Sequence, residues 1–151
     1  MNRTLSLVAS FFAALLMQGS ALAEGTARLV LKGYDPVAYF TDGKPVQGNA
    51  RISYEFDEGR YYFVNERHRA MFAAAPERYA PQFGGYCTGS MSRGVRYEGH
   101  PEAWIIADDK LYVFGAADST AALQMREKAQ TDRDFLASRI PNAMKSWQAM
   151  R

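Results

Sequence analysis

Alternation of hydrophobic and polar positions predicts two β-hairpins in this chain. Residues 52–56 alternate between hydrophobic and polar side chains, and residues 60–64 are mostly aromatic or β-branched, so the two runs fit the paired strands of one hairpin. Residues 103–107 and 110–114 repeat this arrangement further along the chain. A short acidic turn separates the two runs of each pair, so each pair is expected to fold back on itself.

A central helix is predicted between the two hairpins. Asn65 is a favourable N-cap, because its side chain can accept a hydrogen bond from a free N–H group of the first helical turn. The helix is expected to cover residues 66–75, to end before Pro76, and to direct Met71 and Phe72 toward the core. Six apolar side chains of the predicted elements are expected in the core: Tyr54, Phe56, Phe63, Phe72, Trp104 and Leu111.

The C-terminal part has a helical pattern. A helix capped by Asp118 or Ser119 is expected to reach about Ala129. Beyond it, apolar residues recur at near-helical spacing, and Pro141 predicts a kink or a break into two helices. The residues of this apolar stripe are Leu136, Ile140, Met144 and Trp147.

These elements predict an α+β fold in one small domain. Two β-hairpins are expected to pack with the central helix, followed by a C-terminal helical segment, with the core at about residues 29–115. A short strand is expected at residues 29–31, and Asp35 is expected to cap a turn before Pro36. No internal repeat is evident in the sequence.

Residues 1–23 have the pattern of a secretory signal peptide. One arginine precedes an almost unbroken apolar run over residues 5–17, and a small-x-small cleavage site ends at Ala23. Cleavage there would leave residues 24–151 as the domain. We expect an exported, periplasmic protein with no stable membrane anchor after cleavage, because Glu24 rather than a lipid-accepting cysteine follows the site.

The charge of the chain excludes one large class of partner. The formal net charge is +2, and acidic and basic residues are interspersed, so the sequence lacks the basic stripe of a nucleic-acid-binding protein. A small ligand or a metal ion is the expected partner.

The most unusual group is Cys87, the single cysteine in 151 residues. It lies in residues 84–99, which hold five of the twelve glycines. A single cysteine forms no internal disulfide, so two interpretations remain open. Cys87 is either a reactive or ligating thiol in a permissive loop, which a small alkylating reagent would reach in the folded protein, or a small buried hydrophobic residue.

Several motifs resemble the YHS domain family, and the resemblance covers almost all of residues 24–151. A first set matches YHS domains in general, and a second set is similar to an exported branch of the family. The first set is residues 33–40, 61–63, Phe72 and residues 76–79; the second is residues 83–87, 101–104 and 110–112.

The resemblance implies chemistry at Cys87. In the exported branch the matching position is selenocysteine in some relatives, which implies redox or metal chemistry there. Other YHS domains, attached to copper-transporting ATPases, resemble a heavy-metal module with cysteines at the positions of Ala38, Val64 and His68. Alanine and valine have no ligating atom, so that metal site does not transfer directly to this chain.

Three further residues are candidates for a site with Cys87. His68 lies on the apolar face of the central helix, where it is either a metal ligand or base beside Cys87 or a core histidine with a satisfied hydrogen bond. Met91, four residues after Cys87, is either a thioether ligand or a core residue. His100 is either a ligand or a solvated loop residue.

Three functional hypotheses follow. The first is a binding module that uses Cys87, with His68 as the preferred second ligand, to hold a soft metal such as copper or another thiol-seeking ligand. The second is a thiol-redox enzyme in which Cys87 is the catalytic residue. The third is an interaction domain without chemistry. The sequence favours binding over catalysis, because it contains no paired catalytic carboxylates, phosphate-binding loop or Cys-x-x-Cys pair.

Overall fold

The structure is a computed structural model, and it describes residues 27–151. It confirms the predicted α+β fold, with helices packed around two small sheets. The predicted signal peptide and its cleavage site at Ala23 lie outside the described residues.

The first sheet contains the first predicted hairpin. Its strands are β1 (Arg28–Leu29), β2 (Asn49–Phe56) and β3 (Gly59–Phe63), in the order β1-β3-β2. Strands β2 and β3 are antiparallel, whereas β1 pairs with β3 in parallel. The strand predicted at residues 29–31 is therefore only partly correct, since a four-residue 3₁₀ turn, Val30–Gly33, follows β1 directly.

The second sheet is the second predicted hairpin, with strands β4 (His100–Ala107) and β5 (Lys110–Phe114). It separates two hydrophobic cores. Leu111 and Val113 belong to the first core, and the alternate residues Tyr112 and Phe114 belong to the second. Because side chains alternate across a strand, β5 is buried on both faces.

The helices predicted at residues 66–75 and from Asp118 or Ser119 to about Ala129 are present with similar bounds, whereas the short helices Ala38–Thr41 and Thr88–Met91 were not predicted. Asn65 caps the central helix, because its side chain accepts a hydrogen bond from the backbone N–H of His68 at 2.8 Å. Pro141 lies in the first turn of the last helix, which confirms a break into two helices. Within residues 27–151, every helix is too short or too polar to cross a membrane. The helices are α1 (Ala38–Thr41), α2 (Glu66–Ala74), α3 (Pro76–Tyr79), α4 (Thr88–Met91), α5 (Ser119–Thr131), α6 (Arg133–Ala137) and α7 (Ile140–Ala149).

The first core is built around Phe72, which is fully buried. The rings of Tyr54, Phe56, Tyr61 and Phe63 all lie within 6.2 Å of the Phe72 ring, measured between centroids. Of the six predicted core residues, Phe63, Phe72 and Leu111 are fully buried. The other three, Tyr54, Phe56 and Trp104, are partly buried and pack against the same core.

The second core extends past the expected limit at residue 115. It forms between the β4–β5 hairpin and the C-terminal helices, which bury Phe135, Leu136 and Ala143. The C-terminal helical segment is therefore an integral part of the core rather than an appendage.

The two halves of the chain repeat one structural unit, although the sequence shows no repeat. Each half begins with a 3₁₀ turn, Val30–Gly33 or Gln82–Gly85, in which the last three residues have positive φ. A tyrosine, a short helix, an eight-residue strand and a five-residue strand follow in both halves. The two hairpins share the position of a register shift and a two-residue turn with positive φ. In this repeat Cys87 occupies the position of Asp35, since each is the residue directly after the tyrosine.

Candidate functional site

Cys87 is a free cysteine with no exposed surface. Its N–H group donates to the carbonyl of Tyr97 at 2.7 Å, and its own carbonyl accepts from the N–H group of Met91 at 2.8 Å. The expectation of a thiol that an alkylating reagent reaches in the folded protein is therefore wrong for this conformation. The second interpretation from the sequence, a small buried residue, fits the observed burial.

The glycine-rich segment packs tightly against strand β5 because its glycines allow close approach. A Cβ atom added at Gly99 would lie 2.4 Å from Cγ2 of Val113 and 2.8 Å from the carbonyl oxygen of Gly85. Real Cβ atoms do not approach other atoms so closely, so only glycine fits between these neighbours. Glycine is therefore required here by close packing, and not by a need for an accessible loop.

Cys87 and Met125 both approach the backbone of Gly89. A Cβ atom added at Gly89 would lie 3.0 Å from Cε of Met125 and 3.9 Å from Sγ of Cys87. Met91 is fully buried in the second core. Two methionines therefore lie in the same part of the fold as the thiol, one four residues after it in the chain and one across Gly89.

His68 is paired with Asp35, a residue that the sequence marked only as a turn cap. The Nδ1 atom of His68 lies 2.8 Å from Oδ2 of Asp35, and both side chains are buried. The carboxylate of Asp35 also accepts hydrogen bonds from the N–H groups of Val37, Ala38 and Val64, at 2.8, 3.4 and 2.9 Å. This arrangement matches the interpretation of His68 as a core histidine with a satisfied hydrogen bond.

Cys87 and His68 do not form a metal-binding group with other ligands. Within residues 27–151 there is no group of three or more histidine, cysteine, aspartate or glutamate side chains that could hold a metal ion. His100 opens strand β4 rather than lying in a loop, and its Nδ1 atom accepts from the N–H group of Glu102 at 3.3 Å. It lines a separate depression of about 610 Å³ together with Lys32 and Ser119.

A different site stands out on the surface. An open cleft of about 950 Å³ lies between the end of the β2–β3 hairpin and helix α7. One wall carries an acidic group of residues, which we call the acidic wall: Glu55, Asp57 and Glu58. The other wall carries alternating cationic and aromatic side chains, which we call the arginine–aromatic ladder: Arg28, Tyr86, Arg96, Trp147 and Arg151.

The arginine–aromatic ladder is continuous. The guanidinium carbon of Arg28 lies 4.3 Å from the ring centroid of Tyr86, and that of Arg96 lies 5.9 Å from the rings of both Tyr86 and Trp147. The guanidinium carbon of Arg151 lies 5.6 Å from the ring of Trp147. A cation within about 6 Å of an aromatic ring is attracted to the face of that ring, so these contacts stabilise both partners.

The three arginines of the ladder differ in their partners. Arg28 forms a two-pronged salt bridge with Glu98, at 2.8 and 2.9 Å, and Arg151 pairs with Asp57 across the cleft. Arg96 is exposed and donates only to the carbonyl of Met150, at 2.8 Å. Within residues 27–151, no carboxylate pairs with Arg96, so its charge is available to a ligand.

Tyr61 lies in the lining of the cleft, beneath the ladder. Burial raises the pKa of its hydroxyl group from its ordinary value to about 12, with nearby Arg28 lowering the pKa and Asp57 raising it. Tyr61 is therefore neutral at physiological pH and presents a hydroxyl group that can donate a hydrogen bond.

Sequence reasoning missed this cleft because its residues are distant in the chain. In the sequence, Trp147 was assigned only to an apolar stripe. The ladder joins residues 28, 86, 96, 147 and 151, and no local spacing signals such a set.

Comparison with known proteins does not assign the chain to a family. No protein-family model matches the chain, and no match was found among curated proteins or solved structures. The resemblance to YHS domains stays a prediction that rests on the sequence motifs alone.

Proposed function

We propose that this protein is a binding module whose cleft holds a small zwitterion with a flat apolar body. The observation that carries the proposal is Arg96, an exposed guanidinium held between two aromatic rings and without a carboxylate partner among residues 27–151. A guanidinium fixed in this way can donate two parallel hydrogen bonds to a carboxylate.

The opposite wall of the cleft favours a positive charge on the ligand. In the acidic wall, Asp57 is paired with Arg151, while Glu58 forms no ion pair within the described residues. A ligand with a carboxylate facing Arg96 and an ammonium group facing the acidic wall would match both charges. Its flat body would contact the aromatic faces of Tyr86 and Trp147, which favour stacking over an aliphatic surface.

Calorimetric titration with phenylalanine and two derivatives tests this proposal. Phenylalaninamide lacks the carboxylate, and N-acetylphenylalanine lacks the ammonium group. We expect phenylalanine to bind with one site per chain and each derivative to bind about tenfold more weakly, because each loses one charge-assisted hydrogen bond.

The variant Arg96→Gln identifies the group that receives the carboxylate. We expect it to weaken the binding of phenylalanine and to leave the binding of phenylalaninamide unchanged. Arg93→Gln is the matched control, because Arg93 is exposed, does not line the cleft, and loses the same charge. Equal binding of phenylalanine by the two variants, or no binding by the unchanged protein, would overturn the proposal.

A second candidate function is the binding of Cu(I) at Cys87, and the approach of Cys87 and Met125 to the same glycine favours it. Cys87 and Met125 converge on Gly89, and thiolate and thioether are both good ligands for Cu(I). In this version the second ligand is Met125, which approaches the same glycine as Cys87. Copper would have to enter through a transient opening, since the thiol has no exposed surface.

Titration of the reduced protein with Cu(I) against a competing chelator tests this candidate. We expect one Cu(I) per chain, bound more tightly by the unchanged protein than by Cys87→Ser, with an intermediate affinity for Met125→Leu. Met144→Leu is the control, because Met144 is exposed and lies elsewhere. If Cys87→Ser binds Cu(I) as tightly as the unchanged protein, the candidate is rejected.

A further inference from the structure

We propose that a second site, a groove beside the β4–β5 hairpin, binds an aliphatic carboxylate. The groove has a volume of about 590 Å³ and runs between strand β4 and helices α5, α6 and α7. It shares no lining residue with the cleft that carries the ladder, so this proposal does not depend on the proposed function.

Two buried donors without partners carry the inference. Within residues 27–151, the only buried side-chain nitrogen or oxygen atoms without a hydrogen-bond partner are Nε1 of Trp104 and Nε of Arg126. Both side chains line this one groove, and the guanidinium carbon of Arg126 lies 5.2 Å from the ring of Trp104. Buried N–H groups in folded proteins almost always have an acceptor, so two adjacent unpaired donors indicate an acceptor that binds between them.

The orientation of these donors is fixed by their surroundings. The indole ring of Trp104 packs edge-on against Tyr39, with ring centroids 5.1 Å apart. Arg126 is held by a hydrogen bond from Nη1 to the carbonyl of Glu102, at 3.3 Å. Because both nitrogen atoms are buried, an oxygen atom reaches them only after a small displacement of the Arg126 side chain from the indole ring.

The charges around the groove select an anion. Arg126 and Arg133 both line it, and neither forms an ion pair within the described part of the chain. Asp108, in the turn between β4 and β5, is the one carboxylate in the lining. The excess of positive charge matches one carboxylate on the ligand.

The rest of the groove is lined by hydrophobic side chains, which match an apolar tail on the ligand. Apart from Gln130, the remaining lining is hydrophobic, and Ile106 is 36% exposed. The volume of the groove accommodates a straight chain of medium length but would leave a free inorganic anion without contacts along most of its walls. The apolar lining consists of Ile105, Ile106, Ala107, Ala129, Leu136, Ala137 and Ile140.

Titration with octanoate, followed by nuclear magnetic resonance of the indole N–H groups, tests the proposal. The chain has two tryptophans, and Trp147→Phe identifies the signal of Trp104. We expect octanoate to shift the Trp104 signal in a saturable way and to leave the Trp147 signal in place. Octan-1-ol, which has the same tail without the charge, is expected to bind about tenfold more weakly.

Charge variants complete the test. Arg126→Gln and the exposed Arg133→Gln are each expected to weaken octanoate binding, and Arg133→Gln does so without removing a buried group. Lys145→Gln, an exposed residue outside the groove, is the matched control and should bind octanoate normally. The proposal fails if octanoate leaves the Trp104 signal unmoved, which would indicate that these donors bind only water. It also fails if octan-1-ol binds to the unchanged protein as tightly as octanoate does. A third contrary outcome is that Arg126→Gln and Arg133→Gln bind octanoate as tightly as the control variant Lys145→Gln.

Discussion

Asp35 is a single residue that joins three segments of the chain. Its carboxylate accepts from the N–H groups at the start of α1, from the N–H group of Val64 after β3, and faces His68 on α2. The sequence predicted the first of these contacts, because an aspartate before a proline is a common turn cap. It could not predict the contacts with Val64 and His68, because these depend on where the chain returns in space.

The variant Asp35→Asn tests how strongly this carboxylate stabilises the fold. The new NH₂ group would face buried N–H donors instead of accepting from them, so we expect a loss of about 2–4 kcal/mol in the free energy of unfolding. Urea denaturation measures the change. Asp42→Asn, at an exposed position, should change stability by less than about 0.5 kcal/mol. Equal stabilities of the two variants would show that the carboxylate has no special role.

At the level of elements, the hydrophobic pattern was a reliable guide to the hairpins and to helix α2. Strand β3 and helix α2 each bury one face, which dictates their periodicity, whereas β5 is apolar over most of its length because both of its faces are buried. Asn65 and Pro76 mark the ends of α2 locally. The 3₁₀ turns were not predictable in the same way. Leu31 and Lys32 have φ of 53° and 52°, a conformation that such residues rarely adopt and that packing imposes here.

Helix α2 makes its largest contribution through Phe72. Phe72→Ala would remove a fully buried ring that contacts four other rings, so we expect a loss of about 3–5 kcal/mol in the free energy of unfolding. Chemical denaturation provides the measurement. Arg67→Ala, on the exposed face of the same helix, is the control and should have little effect. A loss well below about 1 kcal/mol for Phe72→Ala would show that the ring does not anchor the helix.

At the scale of the whole molecule, neither the cleft nor the groove was visible in the sequence. Each joins side chains from distant elements, such as Arg28 with Trp147 and Trp104 with Arg126. The sequence directed attention to Cys87 because the residue is unique, but uniqueness in composition does not indicate exposure. Only packing decides exposure, and here the fold leaves the thiol no exposed surface.

Buried tyrosines make the stability of the whole fold sensitive to alkaline pH. The pKa of Tyr61 is raised by burial to about 12 in the folded protein, whereas it is about 10 in an unfolded chain. Above pH 10 the unfolded chain loses this proton first. Stability is therefore full below pH 10 and falls as the pH rises from 10 to 12, by an amount on the order of 2 kcal/mol for this residue.

Urea denaturation between pH 8 and pH 12 measures this effect. Tyr61→Phe should lose less stability across that range than the unchanged protein. Burial also raises the pKa of Tyr39 and of Tyr112, so part of the alkaline loss should remain in the variant. Parallel pH profiles of the two proteins would contradict the assignment to Tyr61.

The repeated unit places Asp35 and Cys87 at equivalent points of two similar substructures. In the first half, the residue after the tyrosine is Asp35, which bridges to a histidine on the helix after its hairpin. In the second half it is Cys87, and both Cys87 and Met125 of the corresponding helix α5 approach Gly89. The same backbone position thus accommodates a hydrogen-bonded carboxylate in one half of the domain and a buried thiol in the other.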